Sequence, residues 1–319
     1  VSTPEANKQY DLIVFPETAL PFFLTDPVYS SYLEQVADLA RELDTPILIG
    51  SLESRLTSSK IYNRAFLMDR SGDVVDFTDK VHLVPFGEYL PMSWLFSYLE
   101  ELTAESGRFT QGDSHKTMGI PQTNLNLGVF ICYESIFPEI ARTLARDKAN
   151  ILINTTNDAW FGHTSAPHQH MAMTTVRAVE CGLPLVRVAN TGISGAVAPS
   201  GQILAATNIF ETAALSVDLP SPATPTLYVQ HGNVLLMVCS IGIICAIVVC
   251  RIRHRQEQEV ARNELRHFAS DPRKLSRSLV LLHGYNSDFH NWDRLLDQLR
   301  QSFSNLESHL VCPDLNRNH

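Results

Sequence analysis

Short apolar runs alternate with helical patterns along the first 220 residues. Segments 11–15, 46–51, 65–69, 125–133, 150–155, 185–189 and 213–219 are rich in β-branched and other apolar residues. They read as strands, several of them apolar on both faces. Between them, Val28, Leu33, Val36, Ala40 and Leu43 recur at helical spacing. Segment 135–148 gathers Arg142, Arg146 and Lys148 towards its end, and 166–181 stops at Gly182 and Pro184, as helices prefer. This alternation of strand and helix predicts an α/β layered fold.

A different pattern follows. Residues 233–250 carry no charge, and Ser240 and Gly242 are their small interruptions. As a helix rising ~1.5 Å per residue, such a run spans about 27 Å, enough to cross a thin hydrocarbon core. Arg251, Arg253 and Arg255 come next, whereas no Lys or Arg stands between Arg187 and Arg251. The positive-inside rule therefore puts the tail in the cytoplasm and residues 1–232 on the far side. The charge split agrees: 25 acidic and 14 basic residues in 1–232, 9 and 11 in 233–319. A net charge of −9 speaks against a nucleic-acid binder, which needs a basic face. With 6 Cys in 319 residues there is no disulfide framework. Cys132 and Cys181 are the thiols of the large domain, either bridged or one functional beside one inert. With no initiator Met and no signal peptide at Val1, the chain reads as part of a longer protein.

Reactive groups stand at the ends of apolar strands, where open α/β sheets build sites. Glu17 follows 11–15; partial desolvation there raises a carboxylate pKa and suits a general base. Lys80 follows a strand-like stretch at 74–77, and its ammonium suits a developing oxyanion; Glu88 lies in the same loop. Cys132 closes an apolar strand ahead of a helix. A helix N-terminus there lowers the thiol pKa and aims amides at a bound carbonyl oxygen. Glu, Lys and Cys together point to acyl transfer through a thioester, with a Cys–His pair as the competing arrangement. His163, His168 and His170 cluster, but their spacing matches no standard zinc pattern.

Four motifs now stand in order: FPETALP at 15–21, KVHLVPFGEYLP at 80–91, ICYESIFPE at 131–139 and NTTNDAWFG at 154–162. Together they resemble the nitrilase (carbon-nitrogen hydrolase) superfamily. More narrowly, residues 1–253 resemble the exported domain of the bacterial apolipoprotein N-acyltransferase family. That resemblance implies a nitrilase-like α-β-β-α sandwich, with Glu17 as base, Lys80 as oxyanion holder and Cys132 as nucleophile. It also implies Glu88 as a supporting carboxylate, Tyr133 and Glu134 shaping the pocket, and Trp160 lining it. The implied partners are a phospholipid acyl donor, a diacylglyceryl lipoprotein acceptor and the bacterial inner (plasma) membrane, with the domain periplasmic; no cofactor or metal is implied. A nitrilase-type amidase is the alternative. Family members carry a multi-helix membrane bundle ahead of this domain, and this sequence starts beyond it. The expected organisation is a catalytic domain at 1–220, a linker at 221–232, a transmembrane helix at 233–250, a charged cytoplasmic linker at 251–277 and an incomplete α/β-hydrolase-like segment at 278–319. Of two greasy stretches, 90–102 with Trp94, Phe96 and Tyr98 reads either as a core-facing helix or as an arm that dips into the membrane interface, and 21–24 as a second lipid-facing lip.

Overall fold

Side-chain parity along the strands decides the layers. In β3 (Ile47–Ser54), Ile47 and Ile49 pack beneath α1 (Ser30–Glu42), while Leu48 between them points the other way. β4 (Ile61–Met68) repeats the rule: Phe66 and Met68 join the α1 layer, and Ala65 and Leu67 join Leu48. These strands belong to a five-stranded sheet with β1 (Ile13–Val14), β2 (Leu20–Phe23) and β5 (Val74–Asp79); β1 and β2 both pair with β3 in parallel. The computed structural model describes residues 8–54, 60–89 and 109–269.

A second, six-stranded sheet runs in the order β11-β10-β9-β8-β7-β6. Its members are β6 (Met118–Gly119), β7 (Asn126–Ile131), β8 (Ile151–Thr156), β9 (Leu185–Ala189), β10 (Gly195–Val197) and β11 (Ile203–Ala206). Leu127, Val129, Ile131, Ile151 and Ile153 meet Leu48, Ala65 and Leu67 in the core between the sheets. On the outer face, Phe130, Leu152 and Leu185 pack against α2 (Pro138–Arg146), α3 (Ala166–Cys181) and Val229 of α4 (Leu227–His231). The result is the α-β-β-α sandwich, with three apolar layers each emptied of water.

Two local expectations give way. Residues 213–219 join neither sheet among the described residues; Leu219 reaches the inter-sheet core and Asp218 pairs with Lys8 at 2.8 Å, but no ladder forms. Residues 21–24 are no lipid-facing lip: Leu24 is fully buried and Phe22 stacks on Tyr29, because the chain enters β2 and its apolar side chains turn to α1. Short strands β2, β6, β10 and β11 carry too few residues to show a period in sequence.

The chain divides into two units, Val1–Ile241 and Gly242–His319. Helix α5 (Val234–Ala269) supplies the described part of the second. Its apolar stretch has a mean hydropathy of 2.7 and is unburied, long and apolar enough to cross a membrane. The helix continues through the arginines, since Arg, Glu and Gln are good helix formers and no Gly or Pro stands between Arg251 and Ala269. Segments 90–102 and 278–319 lie outside the described residues.

Candidate active site

Glu17 sits in the turn between β1 and β2, draped over β3. The turn crosses at Gly50, where a Cβ would stand 2.5 Å from the Pro16 carbonyl oxygen and 2.8 Å from the Glu17 Cα. Hydrogen at that position lets the carboxylate enter the protein. Glu17 is 4% exposed. Its Oε1 accepts from Asn63 Nδ2 at 2.6 Å and from Lys80 Nζ at 3.2 Å, and its Oε2 accepts from the Asn157 backbone N–H at 2.6 Å.

Lys80 follows β5 directly and is 1% exposed. Arg64 and Asp79, paired across β4 and β5, form a bidentate ion pair at 2.6 and 2.9 Å that fixes the strand end beside it. A buried ammonium needs counter-charge, and Lys80 has it twice: Glu17, and Glu88 Oε1 at 2.6 Å. The other Glu88 oxygen accepts from the Val84 backbone N–H at 2.9 Å, which folds the 80–88 loop back on the lysine. Burial alone would lower the Lys80 pKa, but Glu17, the Cys132 sulfur and Glu88 outweigh it and raise it.

Cys132 directly follows β7 and is a half-buried free thiol with φ of +54°. It opens a five-residue 3₁₀ turn (Cys132–Ile136), not an α-helix; α2 starts at Pro138. The expected lowering of its pKa is therefore reversed. Burial first, then the Glu17 charge, push the thiol up to about 12, against smaller opposing pulls from Lys80 and a hydrogen bond with Thr156. The group rests as a thiol that feels the charges of the Glu17 carboxylate and the Lys80 ammonium.

Glu134 is a buried staple. It accepts from the Val81 and His82 backbone N–H groups at 2.7 and 2.9 Å, from the Ile131 N–H at 2.7 Å, and bonds His115 Nε2 at 2.9 Å. One carboxylate thus ties the residues after Lys80 to the residue before Cys132. Burial opposes its charge, yet His115 and these N–H groups together hold its pKa below the usual range. Tyr133 packs edge-on against Phe137 with centroids 5.3 Å apart. Trp160 stands 85% exposed in the turn after β8, so its ring is not enclosed by pocket walls.

Several site residues carried no motif signal. Asn63 and Arg187 are polar residues inside apolar strands, a mismatch that was visible in sequence. His170, noted in the sequence only as one of the cluster His163, His168 and His170, lies against Asp158 and reaches the Cys132 carbonyl. Among the described residues, the ligand atoms of His82, His115 and Glu134 lie within 4.8 Å of one another and could hold a metal. An ion there would compete with the bonds that anchor the lysine segment. Cys181, the last residue of α3, is free and buried, without a bridge to Cys132.

An apolipoprotein N-acyltransferase of Geobacter metallireducens is 40% identical over 250 residues, covering 77% of this chain and 46% of that protein. One from Rhodopseudomonas palustris is 35% identical over 256 residues, with 77% and 46% covered. The chain spans about half the length of the curated relatives it matches. An amidase structure from Nesterenkonia sp. is 20% identical, covering 71% of this chain and 82% of that one, with a TM-score of 0.48. The carbon-nitrogen hydrolase family model matches residues 3–225, a stretch that holds both sheets, Glu17, Lys80 and Cys132; the chain belongs to the carbon-nitrogen hydrolase family.

Proposed function

We propose that the chain is the catalytic part of an apolipoprotein N-acyltransferase, moving an acyl chain from a phospholipid through a Cys132 thioester to the N-terminal amine of a diacylglyceryl lipoprotein. The observation that carries this reading is one buried cluster of Glu17, Lys80 and Cys132 in a family member whose curated relatives bear that name. Because the thiol rests protonated, Glu17 takes its proton as sulfur attacks the ester carbonyl. Lys80 and backbone N–H groups after Cys132 hold the tetrahedral oxyanion. The C–O bond then breaks, and the lysophospholipid hydroxyl leaves with the proton from Glu17. In the second half, the amine attacks the thioester, Glu17 takes the amine proton, and the sulfur departs and is reprotonated. Glu88 keeps Lys80 charged and placed, Glu134 fixes the spacing between lysine and nucleophile, and Trp160 offers an exposed aromatic to the lipid.

In this reading α5 crosses the bacterial inner membrane over residues 233–250, with residues 1–220 periplasmic and the residues from 251 cytoplasmic. The test is a phospholipid radiolabelled in its acyl chain. Label trapped on wild-type protein but not on Cys132→Ser, then discharged by a lipopeptide amine, is the expected result. Discharge by water alone makes the chain an amidase-type hydrolase, and absence of any adduct removes the enzymatic reading.

A further inference from the structure

Beneath α3, the outer face of the second sheet changes character along its strands. Leu152 and Leu185 are apolar, but the next outward positions are Asn154 and Thr156 on β8 and Arg187 on β9, with Asn154 and Arg187 in register. His170 and Thr174 of α3 cover them, and Asp158 follows β8; all of these are 7% exposed or less. Arg187 Nη2 donates to Asp158 Oδ2 at 2.7 Å, and its Nη1 bonds Asn154 Oδ1 and Thr174 Oγ1. Such a cluster displaces apolar packing, so stability alone does not call for it.

Its connections end on one residue. Thr156 Oγ1 donates to Asp158 Oδ1 at 2.9 Å. Asp158 Oδ1 lies 3.0 Å from His170 Nδ1, and His170 Nε2 lies 3.2 Å from the Cys132 carbonyl oxygen. A carbonyl only accepts, so Nε2 is the donor there, and Nδ1 accepts from Arg187 Nη2 at 3.0 Å. Asn154 Nδ2 reaches the Cys132 carbonyl oxygen at 3.5 Å. The network closes on the Cys132 main chain, at a residue whose φ of +54° is strained for a side chain with a Cβ.

We propose that His170, braced by Asp158, Thr156 and Arg187, is a positioning residue that holds the Cys132 backbone in its left-handed conformation. The inference rests on Cys132 being the nucleophile and asks nothing of the acyl acceptor. The test uses the full chain in detergent and measures iodoacetamide alkylation of Cys132, with acyl-enzyme formation from labelled phospholipid alongside and a thermal melt as control. His170→Leu keeps bulk but donates nothing; alkylation and the acylation kcat each fall about tenfold, with KM unmoved. His170→Gln offers an amide N–H to the same carbonyl and recovers at least half of the lost rate. Equal alkylation rates in wild type and His170→Leu would overturn the proposal, as would a Gln variant no faster than Leu at equal melting temperature. Alkylation consumes no lipid, so failure of the acyltransferase reading leaves this readout intact.

Discussion

A thiol pushed up to about 12 carries almost no thiolate at neutral pH, so the nucleophile depends on its neighbour for activation. The ultraviolet difference between wild type and Cys132→Ala is therefore flat below about pH 10, where an ordinary thiol titrates near 8.5; a thiolate rising near pH 7 contradicts this. Glu17→Gln cannot take a proton, and its one amide oxygen accepts on the Asn157 side or on the Asn63 and Lys80 side but not both. Acyl-enzyme formation falls by about 10²- to 10⁴-fold, the usual worth of a placed base, measured by single-turnover labelling. An unchanged rate moves the base elsewhere.

At the scale of elements, the site depends on a contact that contributes no chemistry. Gly50 on β3 is where the Glu17 turn rests, and an added Cβ would lie 2.5–2.8 Å from backbone atoms of residues 16–18. Backbone cannot swing aside as a long side chain can. Gly50→Ala is expected to destabilise the domain by about 1–3 kcal/mol, the scale of overpacking in a closed core, read from a urea midpoint. Acylation drops further than that loss explains, because displacement of the carboxylate by about 1 Å is felt strongly in rate. Full activity in the folded variant refutes the contact's role.

For the whole molecule, acid is the revealing condition. Glu134 and Asp158 are opposed by burial but held below the usual carboxylate range, Glu134 chiefly by His115 and Asp158 chiefly by His170 and Arg187. A carboxylate with a lower pKa folded than unfolded binds fewer protons when folded. Its stabilisation is full above the ordinary value of about 4 and is lost as pH falls through the lowered one. Unfolding free energy thus declines steeply below about pH 4, and less steeply in Glu134→Gln than in wild type; identical slopes exclude the staple as a source. At the other end of the chain, Ile244→Lys with Ile247→Lys adds about 2.5–3.5 kcal/mol per lysine to insertion near a bilayer centre. Carbonate-washed membranes retain the wild type and release this variant, and equal retention means α5 is not the anchor.

Periodicity in the sequence predicted a layered α/β fold and much of its core, and the resemblance carried by the four motifs added the sandwich. Parity along 46–51 and 150–155, and helix spacing along 28–43 and 166–181, are local properties that survive into β3, β8, α1 and α3. The apolar run from 233 onward was equally legible, since length and lack of charge require no partner. Glu17, Lys80, Glu88, Glu134 and Cys132 could be named from their motifs, but their meeting depends on contacts 46 to 140 residues apart along the chain, such as Asn63 and Asn157 on Glu17. Only tertiary packing decided three further matters. Residues 132–136 wind as a 3₁₀ turn, so burial rather than a helix dipole governs the thiol. Residues 213–219 stay off the sheets. Polar side chains buried in β8, β9 and α3 close on Cys132, because strand register and helix docking, which no single segment encodes, bring them into one layer.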